Sequence, residues 1–147
     1  MLGAHEGKMK GGNDLPVTEH QARVDSILNS APQQHRRWLK RRLKNSNEPH
    51  LEKRLQMLGD QFPTYTGLLN QRTVNFFTRV ATTRNYLTHF DEKNRDDSFP
   101  PNELYFPSEK LRILFWMCML MEMGYTNMEA ENIALGHGNF SAILRHN

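Results

Sequence analysis

Thr83-Arg84-Asn85-Tyr86-Leu87-Thr88-His89 closes the strongest helical run in the chain, and its reading decides the fold. The pattern predicts one helix from Leu68 to His89. Its apolar or small positions fall at Thr73, Phe77, Val80, Arg84 and Leu87, with spacings of 4, 3, 4 and 3. Arg84 stands where that stripe calls for a core residue. A cation there needs a partner, a solvated crevice or an interface. On a straight helix, residues five apart such as Arg84 and His89 are separated by about 140° and about 7.5 Å along the axis. Two resolutions are open. Either the helix tightens or ends between them, or the pair meets the same pair of a second chain. Asn85 lies four residues before His89 and shares its face, so it is expected to orient the imidazole. Tyr86 flanks the same edge.

Upstream, Val17–Asn29 has Val17, Val24, Ile27 and Leu28 at helical spacing. Ser30-Ala31-Pro32 ends that helix and is expected to start the next, with Ser30 as cap and Pro32 in the first turn. Residues 32–44 are basic, with Trp38, Leu39 and Leu43 as a narrow apolar stripe. After a break at 46–49, Leu51, Leu55 and Leu58 mark a short helix that Gly59 stops. Downstream, 90–106 is rich in Asp, Asn and Pro and reads as a long loop beside the motif. Ser108–Gly124 is a helix with almost no polar face, and such a helix must be covered all round. One small bundle does not suffice for that, so part of it is expected to face a second subunit. Thr126-Asn127-Met128-Glu129 is a capping box for a helix that stops at Gly136, and a short turn follows at Phe140–Arg145. No segment alternates like a strand. The expectation is an all-α bundle of five or six helices, dimeric, forming one domain over 1–147 with residues 1–15 loosely ordered.

Charge is uneven. Residues 1–60 hold eleven Lys/Arg against seven Asp/Glu, whereas 61–147 hold eight against nine. The basic part suits a polyanion or a solvated helix face equally. Cys118 is the single cysteine, so no disulfide framework exists within one chain, and a reducing, cytoplasmic setting is expected. The N-terminus has no apolar stretch of signal-peptide type. The longest apolar run, Ile113–Met121, is far short of the roughly 20 residues that span a bilayer, so no membrane partner is expected.

The chemistry that Arg84 and His89 suffice for is metal-free cleavage of RNA. The ribose 2′-OH is already the nucleophile. A base must take its proton, an acid must serve the leaving 5′-oxygen, and a cation must stabilise the phosphorane. Histidine serves as base or acid near neutral pH, and the arginine fork suits phosphate oxygens. By spacing alone Arg-x4-His is common by chance. A surface Arg with a helix-end His at the negative end of the dipole explains it as well.

The block Thr83–His89, continued by Phe90-Asp91, resembles the signature of the HEPN superfamily, in particular the HEPN domain of ApeA-type bacterial anti-phage proteins. The similarity extends to Leu51-Glu52-Lys53-Arg54-Leu55, the acidic loop, and the apolar helix ending at Leu120–Gly124. The resemblance implies a helical bundle and a ribonuclease whose Arg84 and His89 meet at a homodimer interface, with Asn85 at the motif's polar position. It implies a role in abortive infection. Some members carry an acidic residue in the first helix, for which Glu6 is the candidate. ApeA-type proteins also carry a large N-terminal domain, which this sequence lacks, so the alternatives are the C-terminal fragment of a longer protein, an unusual short member or an engineered piece, with a missing regulatory domain or a separate partner as the restraint to expect. Some HEPN toxins have a Tyr after the His, where partner enzymes modify them. Phe90 and Asp91 stand here instead, so that regulation is not expected.

Weaker candidates complete the reading. Arg36, Arg37, Lys40 and Arg41, with Tyr86, are candidates for RNA contact, and Trp38 for stacking a base, although core packing of Trp38 is the blander choice. No zinc-type His/Cys spacing and no phosphate-cradling Gly loop occur, so neither metal nor cofactor is expected. The competing reading is a non-catalytic helical module for dimerisation or RNA binding.

Overall fold

The computed structural model describes residues 13–73, 75–90 and 92–145, with Arg72 described by its backbone only. All regular structure among them is helical. The α-helices are α1 (Val17–Ser30), α2 (Gln33–Leu43), α3 (Leu51–Gly59), α4 (Pro63–Arg72), α5 (Phe76–His89), α6 (Tyr105–Glu122), α7 (Asn127–Gly136) and α8 (Gly138–Arg145). Two 3₁₀ turns, Glu92–Asn94 and Pro101–Glu103, lie in the loop between α5 and α6. The helical class is as expected, but the count is eight rather than five or six. The run read as one helix from Leu68 to His89 is two. Thr73 is extended at the end of α4, and Asn75 turns the chain in the left-handed region with φ 55° before α5. Asn tolerates that conformation, which apolar spacing does not reveal. The short turn expected at Phe140–Arg145 is also a full helix.

The described chain falls into two compact units, one ending at His50 and the other starting at Leu51. In the first, α1 packs on α2. The Arg36 guanidinium closes α1, with Nε donating to Ala31 O at 3.0 Å and Nη2 to Asn29 O at 3.1 Å. Ser30, expected to cap α2, instead donates back to Ser26 O at 2.9 Å, and Pro32 precedes α2 as its cap. Trp38 is 52% exposed with Arg42 above its ring, so it is not the core residue that its stripe suggested. Asp14 and Leu15 belong to the stretch expected to be loose. Both are held by buried Asn47, whose side chain accepts from Leu15 N at 2.9 Å and donates to Leu15 O at 3.0 Å, while its carbonyl accepts from Asp14 N. Residues 1–12 lie outside the described residues, Glu6 among them.

The second unit holds the apolar core. Phe62, Tyr65, Leu69, Phe76, Phe77, Ile113, Leu114 and Met117 are buried, and Ala130, Ala134 and Leu144 close it from α7 and α8. Pro63 opens α4, where a missing N–H costs nothing. The orphan amide of Tyr65 in that first turn donates to Glu131 Oε1 at 2.7 Å, so a carboxylate from α7 caps α4. The Tyr65 hydroxyl donates to Lys110 O at 2.7 Å, and burial pushes the phenol far above its ordinary range, which keeps it a donor. Gly59 packs against the Phe77 ring, and an added Cβ there would overlap it. Gly124, at φ +100°, ends α6 in a Schellman arrangement, with Tyr125 N bonded to Leu120 O and Gly124 N to Met121 O. The expected capping box of Thr126 and Glu129 opens α7, and the two Thr126 hydrogen bonds hold the Glu129 carboxyl below its usual range.

Helix α6 starts at Tyr105, three residues before the expected Ser108. Its inner face buries Pro107, Ile113, Leu114 and Met117, whereas Phe115, Trp116, Met119 and the adjoining Met123 stay exposed. Among the described residues, no helix is long and apolar enough to cross a membrane.

Candidate active site at the end of the fifth helix

Helix α5 is continuous through His89 and ends on Phe90, whose N–H donates to Tyr86 O at 2.7 Å. The helix therefore neither tightens nor stops between Arg84 and His89. Regular geometry leaves them about 140° apart around the axis within one chain. Both side chains are exposed, as is Asn85, while Tyr86 is half-buried. Asn85 was expected to orient the imidazole of His89. Its Oδ1 instead accepts from Arg84 Nη1 at 3.1 Å.

The apolar stripe explains why Arg84 is tolerated. Phe76, Phe77 and Ala81 bury the first half of α5, but the stripe leaves the core at its last turn, where Leu87 is 46% exposed. Arg84 lies there on the edge of a groove of about 280 Å³ between α5 and the start of α6. Val80, Leu87, Phe99, Leu104 and Leu111 give the groove apolar walls. Of the environments that such a cation needs, the chain gives it a solvated crevice and the Asn85 amide as partner.

The wall beyond α5 is pinned by residues that the sequence reading passed over. Buried Thr83 donates to Arg79 O at 2.7 Å and accepts from Phe99 N at 2.8 Å. The Arg79 guanidinium lies 4.3 Å above the Phe99 ring and donates to Ser98 O at 3.2 Å. A threonine in mid-helix bonding back to a carbonyl four residues earlier is a known pattern. Its second bond, to a loop sixteen residues away, carried no signal. Replacing Thr83 with Val keeps the shape and removes both bonds. The buried Phe99 amide then loses its acceptor, at a cost of about 1–3 kcal/mol. Urea denaturation measures that loss, and amide exchange at Phe99 should accelerate. Unchanged exchange would mean that the loop is held by other contacts.

The remaining candidates divide. Arg36 is engaged with α1, whereas Arg37, Lys40 and Arg41 are exposed on α2. His137 caps the end of α7 and its ring lies 4.7 Å from that of Phe140. Cys118 is half-buried, and burial pushes its thiol up. Among the described residues, no three His, Cys, Asp or Glu side chains converge as metal ligands would. Asp91 lies outside the described residues.

A helical bundle that carries Arg, a polar residue and, four positions after it, His at one helix end has the features of the HEPN class. A family model described as Apea-like HEPN matches residues 5–129, and the chain belongs to that family. No curated protein and no solved structure matches. At the level of the family, membership fits a nuclease role in anti-phage defence.

Proposed function

We propose that the chain is a metal-independent RNA endonuclease of anti-phage defence, acting on host or phage RNA in abortive infection. The observation that supports this reading is the joint exposure of Arg84, Asn85 and His89 at one helix end inside the family-matched span. Arg84 carries the phosphate oxygens, with Asn85 steadying its guanidinium. His89 exchanges protons with the 2′-OH or the leaving oxygen. The 2′-oxygen bonds to phosphorus, the bond to the 5′-oxygen breaks, and one proton passes from the 2′-OH to the base as another reaches the leaving group. The products are a 2′,3′-cyclic phosphate, or the 3′-phosphate from its hydrolysis, and a 5′-hydroxyl.

One straight helix does not turn both side chains to a single phosphate, so the reading includes a homodimer that pairs two copies of the motif. The exposed Phe115, Trp116, Met119 and Met123 on and beside α6 offer apolar surface for such association. The same surface favours the competing reading, a helical association module without catalysis. We also read 1–147 as one HEPN-like domain, because the family match runs across both compact units. RNA backbone contact outside the site falls to Arg37, Lys40 and Arg41, since Arg36 is occupied.

The test is cleavage of a labelled RNA in EDTA, with analysis of the product ends and of molar mass by light scattering. Full activity in EDTA with cyclic-phosphate ends is expected. Cleavage that stops in EDTA and returns with added metal would sink the mechanism. Intact RNA bound by a dimer would support the association module.

A further inference from the structure

We propose that Phe90 is a stacking platform for a base of single-stranded RNA, beside the phosphate that Arg84 and His89 address; this rests on the nuclease reading above. Phe90 directly follows His89 and caps α5 with φ 51° and ψ 38°. That left-handed conformation is an outlier for a bulky residue, and helices that end this way usually carry Gly there. The other described non-Gly residue with positive φ is Asn75, whose type visits the region at little cost. The fold takes little packing in return for the strain at Phe90. The residue is 77% exposed, more than any other large apolar residue among those described. Strain held with so little packing is the pattern of positions kept for function.

An open aromatic face suits a nucleobase, because every base has a π-face to stack. The place of Phe90 in the chain puts it next to the residues proposed to handle the phosphate. Arg84 and His89, both exposed, precede it near the end of α5.

The test compares Phe90, Phe90→Gly and Phe90→Trp in the full chain. It reads thermal stability, light scattering, and binding of an unstructured mixed-sequence RNA oligonucleotide by anisotropy in a His89→Ala background. Cleavage is followed in the His89 protein. Phe90→Gly is expected to raise Tm by about 2–5 °C through relief of the strain. The same variant is expected to weaken RNA binding by about 5- to 100-fold. Phe90→Trp should restore binding without the gain in Tm. Unchanged binding in Phe90→Gly, absence of RNA binding with Phe90 intact, or a fall in Tm would each overturn the proposal. Conversion of a dimer to monomer by Phe90→Gly would also overturn it, by making the ring a contact between copies. The two readings fail separately. Cleavage by the parent with unchanged binding in Phe90→Gly removes stacking alone. Phe90-dependent binding without any cleavage removes the nuclease alone.

Discussion

His89→Ala is expected to lower the rate of RNA cleavage by about 10²- to 10⁴-fold, the range that a positioned acid or base contributes. Arg84→Ala is expected to lower it by about 10²- to 10³-fold, through loss of the charge that meets the phosphorane. Arg84→Lys should fall between Arg84→Ala and the parent, because an ammonium keeps the charge and loses the planar fork. If the two groups act as one unit, the double variant is little worse than the worse single one. Both side chains are exposed, and Arg84 has the exposed Asn85 amide as its hydrogen-bond partner. Their removal should therefore change unfolding free energy by no more than about 0.5 kcal/mol, so lost activity reports chemistry rather than folding. Single-turnover cleavage of a labelled RNA reads the rate, and urea denaturation reads the fold. Variants that fold and cleave like the parent would remove Arg84 and His89 from the site.

Phe76→Ala is expected to be the most damaging of these substitutions to stability, at about 3–5 kcal/mol. Phe76 opens α5 and is 1% exposed. Its ring meets Phe77 edge-on at 5.6 Å and Phe99 at 6.0 Å, and the Lys110 ammonium lies 6.0 Å from its centre. Truncation removes all three partners at once and leaves a cavity at the junction of α5, α6 and the intervening loop. Against a total of about 5–15 kcal/mol for a domain of this kind, that loss is severe. The urea midpoint should fall with the slope unchanged. Phe76→Leu should recover much of it. A loss in Phe76→Ala below about 1 kcal/mol would mean that the ring is not in the core.

The contrast between the two ends of α5 separates what was legible in the sequence from what was not. Phe76 and Arg84 are both on the helix that the apolar spacing indicated. Periodicity identifies a face, but it does not say where along the helix that face leaves its neighbours. Val80 is half-buried, and Leu87, seven residues on, is largely outside the core. The break at Thr73–Asn75 was also hidden, because a left-handed Asn keeps the apolar register intact on either side.

Most of the local rules read true, although Ser30 does not cap α2 and Asn75 breaks the run read as one helix. The capping box at Thr126, the Gly59 and Gly124 stops, the helical class and the family likeness all depend on residue types at short spacing. Local rules failed where the deciding partner was distant. Thr83 acts on Phe99, Asn47 on Leu15, and Glu131 on the Tyr65 amide sixty-six residues away. Trp38 fits a core stripe and yet stands half in solvent. The sequence by itself determined that this is a helical protein with an Arg-Asn-x3-His block at a helix end. The tertiary structure decided that the block leaves the core and that the groove wall is fastened to Thr83. Hydrogen bonds and burial depend on which surfaces meet, and chain spacing specifies that only within a turn or two.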